Sequence, residues 1–279
     1  MRVHLVPNAD NPLACRSAHM LAETLLAEGH MVQVAHAERV ACDLDIERGN
    51  AGDADLVVAL GGDGTILKAV HQLAGADVPV LGINQGRLGF LCGGGDLDPV
   101  TAVREAMAGH VTHEHRAMLS AAVTLGGRDS GTHEAVNEVF IGRPSGGRAV
   151  DLAIAVDDVP LARWVCDGLV ISTPTGSTAY ALSAGGPLVA PEIRALVLVP
   201  VSPHSLRARA FVLGAGSRVT VTLPEPARAE VCVEVDGDLL PCRTPLERLE
   251  VTLAPHDAHI VRVDGGGFVP TVRDTFLAG

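Results

Sequence analysis

The decapeptide LGGDGTILKA, residues 60–69, brings three glycines, one carboxylate and the only lysine of the chain together. The run LVVAL before it has the pattern of a strand, and the residues from about 65 to 75 have that of a helix. Such a junction points unpaired backbone N–H groups at whatever lies above the strand end, and the helix dipole adds about half a positive charge there. Gly61, Gly62, Gly64 and Thr65 therefore suit a phosphate loop in which a polyphosphate approaches the backbone closely. The spacing fits neither G-x-x-x-x-G-K-[ST] nor G-x-G-x-x-G. Its centre is Asp63, and a carboxylate beside phosphates is unfavourable unless it acts on a proton, a metal or a hydroxyl. Helix capping by Asp63 or Thr65 is the alternative. Lys68 reads either as a solvated surface lysine or as a charge serving the anion site.

A second constellation is CDGLVISTPTGSTAYALSAGGPLVAP, residues 166–191, which is denser in Ser, Thr, Gly and Tyr than a β-connection needs. Hydroxyls and backbone amides can bind sugars, bases and phosphates without charge, although each hydroxyl taken singly fits an ordinary Ser/Thr turn. In NEVFIGRP, residues 137–144, Asn137 and Glu138 open an apolar strand, where unpaired polar groups would be costly. A ligand or a neighbouring loop must serve them.

The elements that position these residues follow from hydrophobic periodicity. VHLVP, a helical stretch at about 12–28, Gly29 and MVQVA make a βαβ opening, and DLVVAL and VPVLGIN flank the next helix. Continuous apolar strands alternating with helices imply a parallel sheet covered on both faces. From about residue 118 the pattern changes to short strands: LSAAVTL, AVNEVFI, VDLAIAV, WVCDGLVIS, ALVLVPV, SRVTVTL, AEVCVEVDG, LERLEVTLA and HIVRV. The expected fold class is α/β plus all-β. An α/β domain occupies 1–98 and is completed by 265–279, whose FVPTVRDTFLAG packs back on it, and a mostly β domain occupies 99–264.

The 279 residues are ample for two such domains, and 47% hydrophobic with 19% charged residues is the composition of a well-buried globular chain. With 3% aromatic residues, the cores must be built of Val, Leu and Ala. A formal charge of −12 and scattered arginines argue against nucleic acid as a partner, so any phosphate binding must come from local chemistry. Cys15, Cys42, Cys92, Cys166, Cys232 and Cys242 form no C-x-x-C pair and read as small buried hydrophobes in a reducing cytoplasm. No signal-type region and no run of about 18 apolar residues is present, so a cytoplasmic protein without a membrane partner is expected.

Taken in order, GGDGT after a strand, NQGRLGFL at 84–91, NEV, and DGLVISTPTGSTAYALSAGGP at 167–187 resemble the NAD kinase family. The resemblance runs from the first strand to the last segment, and the 167–187 block is its most specific part. GGDGT alone is shared with diacylglycerol and sphingosine kinases and, in related form, with phosphofructokinases. The resemblance implies a Rossmann-like, phosphofructokinase-like N-terminal domain and a β-sandwich-like C-terminal domain. It implies transfer of the γ-phosphoryl group of ATP to the 2′-hydroxyl of the adenosine ribose of NAD, giving NADP. Mg²⁺, or another divalent metal, would come with ATP rather than sit on protein ligands, and a homodimer or homotetramer would form.

By position, the resemblance makes Asp63 the residue that holds and deprotonates the hydroxyl, with Gly64 beside it and Lys68 near the substrate. Asn137, Glu138 and Arg148 would bind the dinucleotide, and Asp167 its nicotinamide half. Thr178, Ala179, Tyr180 and Ser183 would line the adenosine side, Phe90 would wall the adenine, and Asp236 would contribute from the second domain. Where the family has Gln after D-G, this chain has Asp238; where it has a structural Pro, this chain has Ala210; and Val165 replaces a basic residue. A lipid kinase would share Asp63 but not the STPTGSTAY block. A dinucleotide sensor would bind without turnover, against which the intact Asp63 speaks.

Overall fold

The computed structural model describes residues 1–86, 89–225, 230–240, 246–263 and 265–277. It divides into two compact units, Met1–His115 with Ala258–Gly279, and Arg116–Asp257.

The first unit contains β1 (Arg2–Pro7), α1 (Pro12–Ala27), β2 (Met31–Val34), α2 (His36–Ala41), β3 (Glu47–Arg48), β4 (Leu56–Gly61), α3 (Asp63–Gln72), β5 (Val80–Asn84) and α4 (Pro99–Met107). The strands pair in parallel in the order β5-β4-β1-β2-β3. Helix α1 starts where sequence logic puts it: Asn11 accepts the Leu13 N–H at 3.0 Å, and Pro12 opens the helix. Successive strand residues point to opposite faces. Val3, Leu5, Val58, Leu60, Leu81 and Ile83 are buried with Ala14, Leu21 and Leu25 of α1 and with Ala102 and Val103 of α4. The other face is covered by α3 through Ile66, Ala69 and Val70. Strand order reverses at β1, whose neighbours are β2 and β4, and ligands of such sheets bind beyond the strand ends at this reversal. The loop carrying Asp63 leaves β4 there.

The second unit is built from β6 (Thr112–Leu125), β7 (Arg128–Ala135), β8 (Glu138–Gly142), β9 (Val150–Val156), β10 (Val159–Cys166), β11 (Gly168–Ser172), α5 (Tyr180–Ser183), β12 (Ala195–Val201), β13 (Phe211–Gly214), β14 (Val219–Thr222), β15 (Cys232–Val235), β16 (Asp238–Leu239) and β17 (Leu246–Arg262). One antiparallel layer runs β10-β9-β14-β17 with β6 and β7, the other β13-β12-β11-β8-β15-β16. Leu152, Ile154, Val219, Val221, Leu249 and Val251 of the first layer share one core with Val139, Ile141, Leu169, Ile171, Leu196 and Leu198 of the second. The second layer is apolar on its other face as well, where Phe140, Val170, Val197 and Val199 meet Ala181 and Val189. That two-sided burial explains the continuous apolar runs of β8, β11 and β12. The chain ends with α6 (Phe268–Val272) and a π-helical turn at Arg273–Leu277, both in the first unit.

The α/β plus all-β class is as expected, but several details differ. The units divide at 115/116 and 257/258 rather than 98/99 and 264/265, because α4 packs on α1 and the end of β17 pairs with β5 at Ile260 and Val261. WVCDGLVIS is two strands in different sheets, broken at Asp167, whose N–H bonds the Val201 carbonyl. LERLEVTLA and HIVRV are parts of one strand, β17, and the polar strand β7 carries too little alternation to be seen in sequence. Cys15 and Cys42 are not independent buried thiols. They are joined by a disulfide, because α1 and the end of α2 bring their Cα atoms to 5.3 Å across 27 residues of sequence. Cys92 and Cys166 are buried, Cys232 is half-buried, and Cys242 lies outside the described residues.

Gly93 shows how closely the first unit packs: a Cβ there would lie 2.7 Å from the Val261 carbonyl oxygen and 2.9 Å from Arg262 Cα. Neither backbone atom can rotate away. Gly93→Ala is expected to destabilise the chain by about 1–3 kcal/mol, read as a lower urea midpoint at unchanged slope.

Candidate active site

In the first unit, α3 is capped by the backbone of Gly62, and no side chain caps it. Asp63 is therefore not spent as a cap. Its carboxylate turns to the segment after β5, where it accepts the N–H of Phe90 at 2.8 Å and that of Leu91 at 3.1 Å. A Cβ at Gly89 would overlap this carboxylate, so a glycine is needed for Asp63 to lie beneath the 89–91 backbone. Each carboxylate oxygen keeps acceptor capacity after these bonds.

The loop glycines divide into two kinds. Gly61 serves the protein itself, since a Cβ there would overlap the Thr65 hydroxyl, and Thr65 is buried. At Gly62 and Gly64 a Cβ would meet nothing within 4 Å among the described residues, and neither has a positive φ. The fold does not require glycine at these two positions, whereas a ligand resting on the backbone would.

Lys68 is committed elsewhere: its ammonium lies 2.6 Å from Oε1 of Glu38, a carboxylate only 2% exposed, which also accepts the Gln72 amide at 3.0 Å. Burial alone would push the Glu38 carboxyl up, but the hydrogen bond from Lys68, a backbone N–H, the Lys68 charge and the Gln72 amide together outweigh it and hold the group below the ordinary range. Phe90 is half-buried and stacks on Phe276 with ring centroids 5.5 Å apart.

In the second unit, Asp236 and Gly237 have φ of +49° and +86°, the two-residue turn joining β15 to β16. From that turn the Asp236 carboxylate accepts the N–H groups of Val136 at 2.8 Å, Asn137 at 2.8 Å and Glu138 at 3.1 Å. Asp236, read from sequence as a ligand contact, thus holds the strand start that presents Asn137 and Glu138. Asp238, next to it, is exposed.

Glu138 is buried, and burial first, then the Asp236 charge, push its carboxyl up to about 7, while the Tyr180 N–H pulls the other way. Its Oε2 has no hydrogen-bond partner among the described residues. A buried acid with one unpaired oxygen is a receptor for a donor such as a sugar hydroxyl.

The hydroxyl-rich loop is mostly self-satisfied. Ser172 donates to the Asn137 carbonyl at 3.1 Å, Thr173 to that of Val136 at 2.6 Å, Ser177 to that of Pro174 at 2.6 Å, and Thr178 to that of Thr175 at 3.0 Å. Gly176 lets this turn lie directly on the Asn137 carbonyl, which a Cβ would overlap. Most of the hydroxyls thus build the loop. Ala179 is half-buried, Tyr180 and Ser183 are exposed, and the Tyr180 ring tilts against Phe140 at 5.5 Å.

Asp167 forms a two-pronged ion pair with Arg143, at 2.7 Å and 3.3 Å, and Arg143 also donates to the Gly147 carbonyl at 3.2 Å. The guanidinium holds the Asp167 carboxyl below the usual range. Arg148 is exposed on the same loop. Arg143 and Gly89 escaped sequence reasoning. Gly89 stood in plain view beside Phe90, but nothing in sequence tied Arg143 to an acid 24 residues away. Among the described residues no group of three or more His, Cys, Asp or Glu is arranged to hold a metal ion.

The acid Glu138 makes stability depend on pH. Its folded value, about 7, exceeds the ordinary 4.5, so the folded state holds the proton more tightly and stability falls as pH rises from about 4.5 through about 7. Glu138→Gln is expected to remove that loss, a gain over wild type on the order of 3 kcal/mol at pH 8 relative to pH 4.5. Urea unfolding of both proteins at the two pH values checks it.

Comparison with known proteins gives the family. Residues 3–111 match the ATP-NAD kinase N-terminal domain and residues 136–263 the ATP-NAD kinase C-terminal domain. The chain is 38% identical over 274 residues to the NAD kinase of Symbiobacterium thermophilum, covering 96% of each chain. It is 42% identical over 227 residues to that of Thiobacillus denitrificans, covering 79% of this chain and 78% of the relative. In fold it is similar to yeast NADH kinase complexed with NADH, with TM-score 0.89, 24% identity, and coverage of 100% of this chain and 89% of that one. It is also similar to an Archaeoglobus fulgidus NAD kinase in complex with ATP, with TM-score 0.72, 24% identity and 93% coverage of each. With most of its length in the two matched domains and relatives 38% and 42% identical to it, the chain belongs to the NAD kinase family.

Proposed function

We propose that this chain transfers the γ-phosphoryl group of ATP to the 2′-hydroxyl of the adenosine ribose of NAD, producing NADP. The observation that carries the reading is Asp63: a carboxylate at a strand-to-helix loop, fixed by two backbone amides and not spent on capping its own helix. Family membership supplies the substrate pair, and relatives in complex with NADH and with ATP support the same classes of ligand.

In this reading the amides of Phe90 and Leu91 orient Asp63 so that a free lone pair receives the ribose O–H. Aspartate is intrinsically a weak base, so it aligns the hydroxyl and takes the proton late, as phosphorus–oxygen bond formation proceeds. Gly62 and Gly64 let phosphate oxygens rest against the first-turn amides of α3. Mg²⁺ on ATP, or another divalent metal, neutralises the transferring group. Glu138 offers its unpaired oxygen to a sugar hydroxyl, Asn137 its side-chain amide, and Asp236 positions both. Asp167, Arg148, Thr178, Ala179, Tyr180 and Ser183 hold the rest of the dinucleotide, Phe90 walls the adenine, and Arg143 keeps Asp167 ionised and in place. The same reading makes the working form a cytoplasmic homodimer or homotetramer, which light scattering on a sizing column would check.

Formation of NADP from NAD and MgATP tests the whole reading. Asp63→Asn keeps the shape and is expected to lower kcat at least about a hundredfold with the fold intact; activity within a few-fold of wild type refutes the role. Gly89→Ala leaves Asp63 in the chain but displaces its carboxylate, so kcat should fall about tenfold or more while the KM for ATP changes little.

A further inference from the structure

The disulfide and the ion pair at Lys68 are joined by one short helix. Helix α2 has six residues, no side-chain cap, and one buried residue, Glu38. That residue is the carboxylate on which Lys68 rests. Cys42 follows α2 directly, and its N–H closes the last turn on the Glu38 carbonyl at 2.9 Å. The bond to Cys15 therefore ties α2 to α1 one helical turn from Glu38. A helix of this length does not hold itself together in water and depends on its attachments. Besides the disulfide, a hydrogen bond of 2.9 Å from the His19 imidazole to the Cys42 carbonyl and the burial of Cys42 and Leu44 in the core shared with α1 link the two.

We propose that Cys15 and Cys42 are a reversible thiol pair that decides whether Lys68 is available to the dinucleotide. With the bond closed, α2 is pinned, Glu38 is seated, and the only lysine of the chain is held on it. With the bond open, α2 loses its covalent tie, the Glu38–Lys68 pair loosens, and the ammonium can turn to substrate phosphates. The proposal rests on the NAD kinase reading and adds a regulation to the same site.

The chemistry is thiol–disulfide exchange with a low-molecular-weight disulfide, RSSR. Cys15 is half-buried and Cys42 is 6% exposed, so Cys15 meets the oxidant first. Its thiolate attacks one sulfur of RSSR, forming a mixed disulfide and releasing RS⁻, which takes up a proton. Cys42 then gives up its proton and attacks the Cys15 sulfur, releasing a second RSH. Two protein thiols are oxidised, and one RSSR is reduced to two RSH.

The test treats the full chain with oxidised or reduced glutathione, reads the state of Cys15 and Cys42 by alkylation and mass spectrometry, and measures kcat and KM for NAD with MgATP. Oxidation is expected to raise the KM for NAD by about fivefold or more with kcat little changed, since Asp63 is untouched. Cys42→Ser should keep the low KM under both treatments. Glu38→Gln, which preserves shape but releases the ammonium, should show the same low KM in both states. Equal KM values for oxidised and reduced wild type overturn the proposal, as does a shift that persists in Glu38→Gln, or thiols that stay free under oxidised glutathione. If no NADP forms in either state, the kinase reading fails, and NAD affinity by calorimetry decides the switch: equal affinities overturn it.

Discussion

The amides of Phe90 and Leu91 take the Asp63 carboxylate out of the helix that bears it, and much of the first unit's design follows from that capture. An aspartate in the first turn of a helix would ordinarily bond its own orphan amides. Here those donors are left to the loop, and the acid is oriented by a segment 27 residues further on. Gly89 has to lack a side chain for the carboxylate to fit. The parallel order β5-β4-β1 brings the two segments together, because β4 and β5 are neighbours whose ends lie side by side.

The second unit uses the same device for a different end. Asp236 collects three backbone amides and so fixes the start of β8, while Ser172 and Thr173 secure carbonyls of the same stretch. Among the described residues, Glu138 Oε2 is one of the buried side-chain atoms that remain without a hydrogen-bond partner. A buried acid in that condition is unfavourable without a donor, which is the physical reason to place a ligand hydroxyl there. The many hydroxyls of the 172–178 stretch, by contrast, hold its own turns.

Charge is handled sparingly. The chain carries a formal charge of −12, yet its site must accept anionic substrates. In the function proposed above, backbone amides at the start of α3 and the metal on ATP would do so, while Lys68 of the first unit is engaged with Glu38 and Arg143 of the second with Asp167. Releasing Lys68 would leave the buried Glu38 carboxylate uncompensated, whereas Asp167 is partly exposed to solvent.

Sequence alone determined the kinds of element and the chemistry available. LVVAL before GGDGT had to be a buried strand feeding a helix, the segments after about 118 had to be strands, and the ordered motifs pointed to one family, because periodicity and motif order are properties of neighbouring residues. Only the tertiary structure decided which polar group meets which. Gly89 under Asp63, Asp236 on the 136–138 amides, Arg143 on Asp167, Lys68 on Glu38 and Cys15 on Cys42 join residues from 24 to 100 positions apart. No local pattern encodes such pairings. They are chosen when packing excludes water and each buried polar group must find its partner among whatever the fold has brought near.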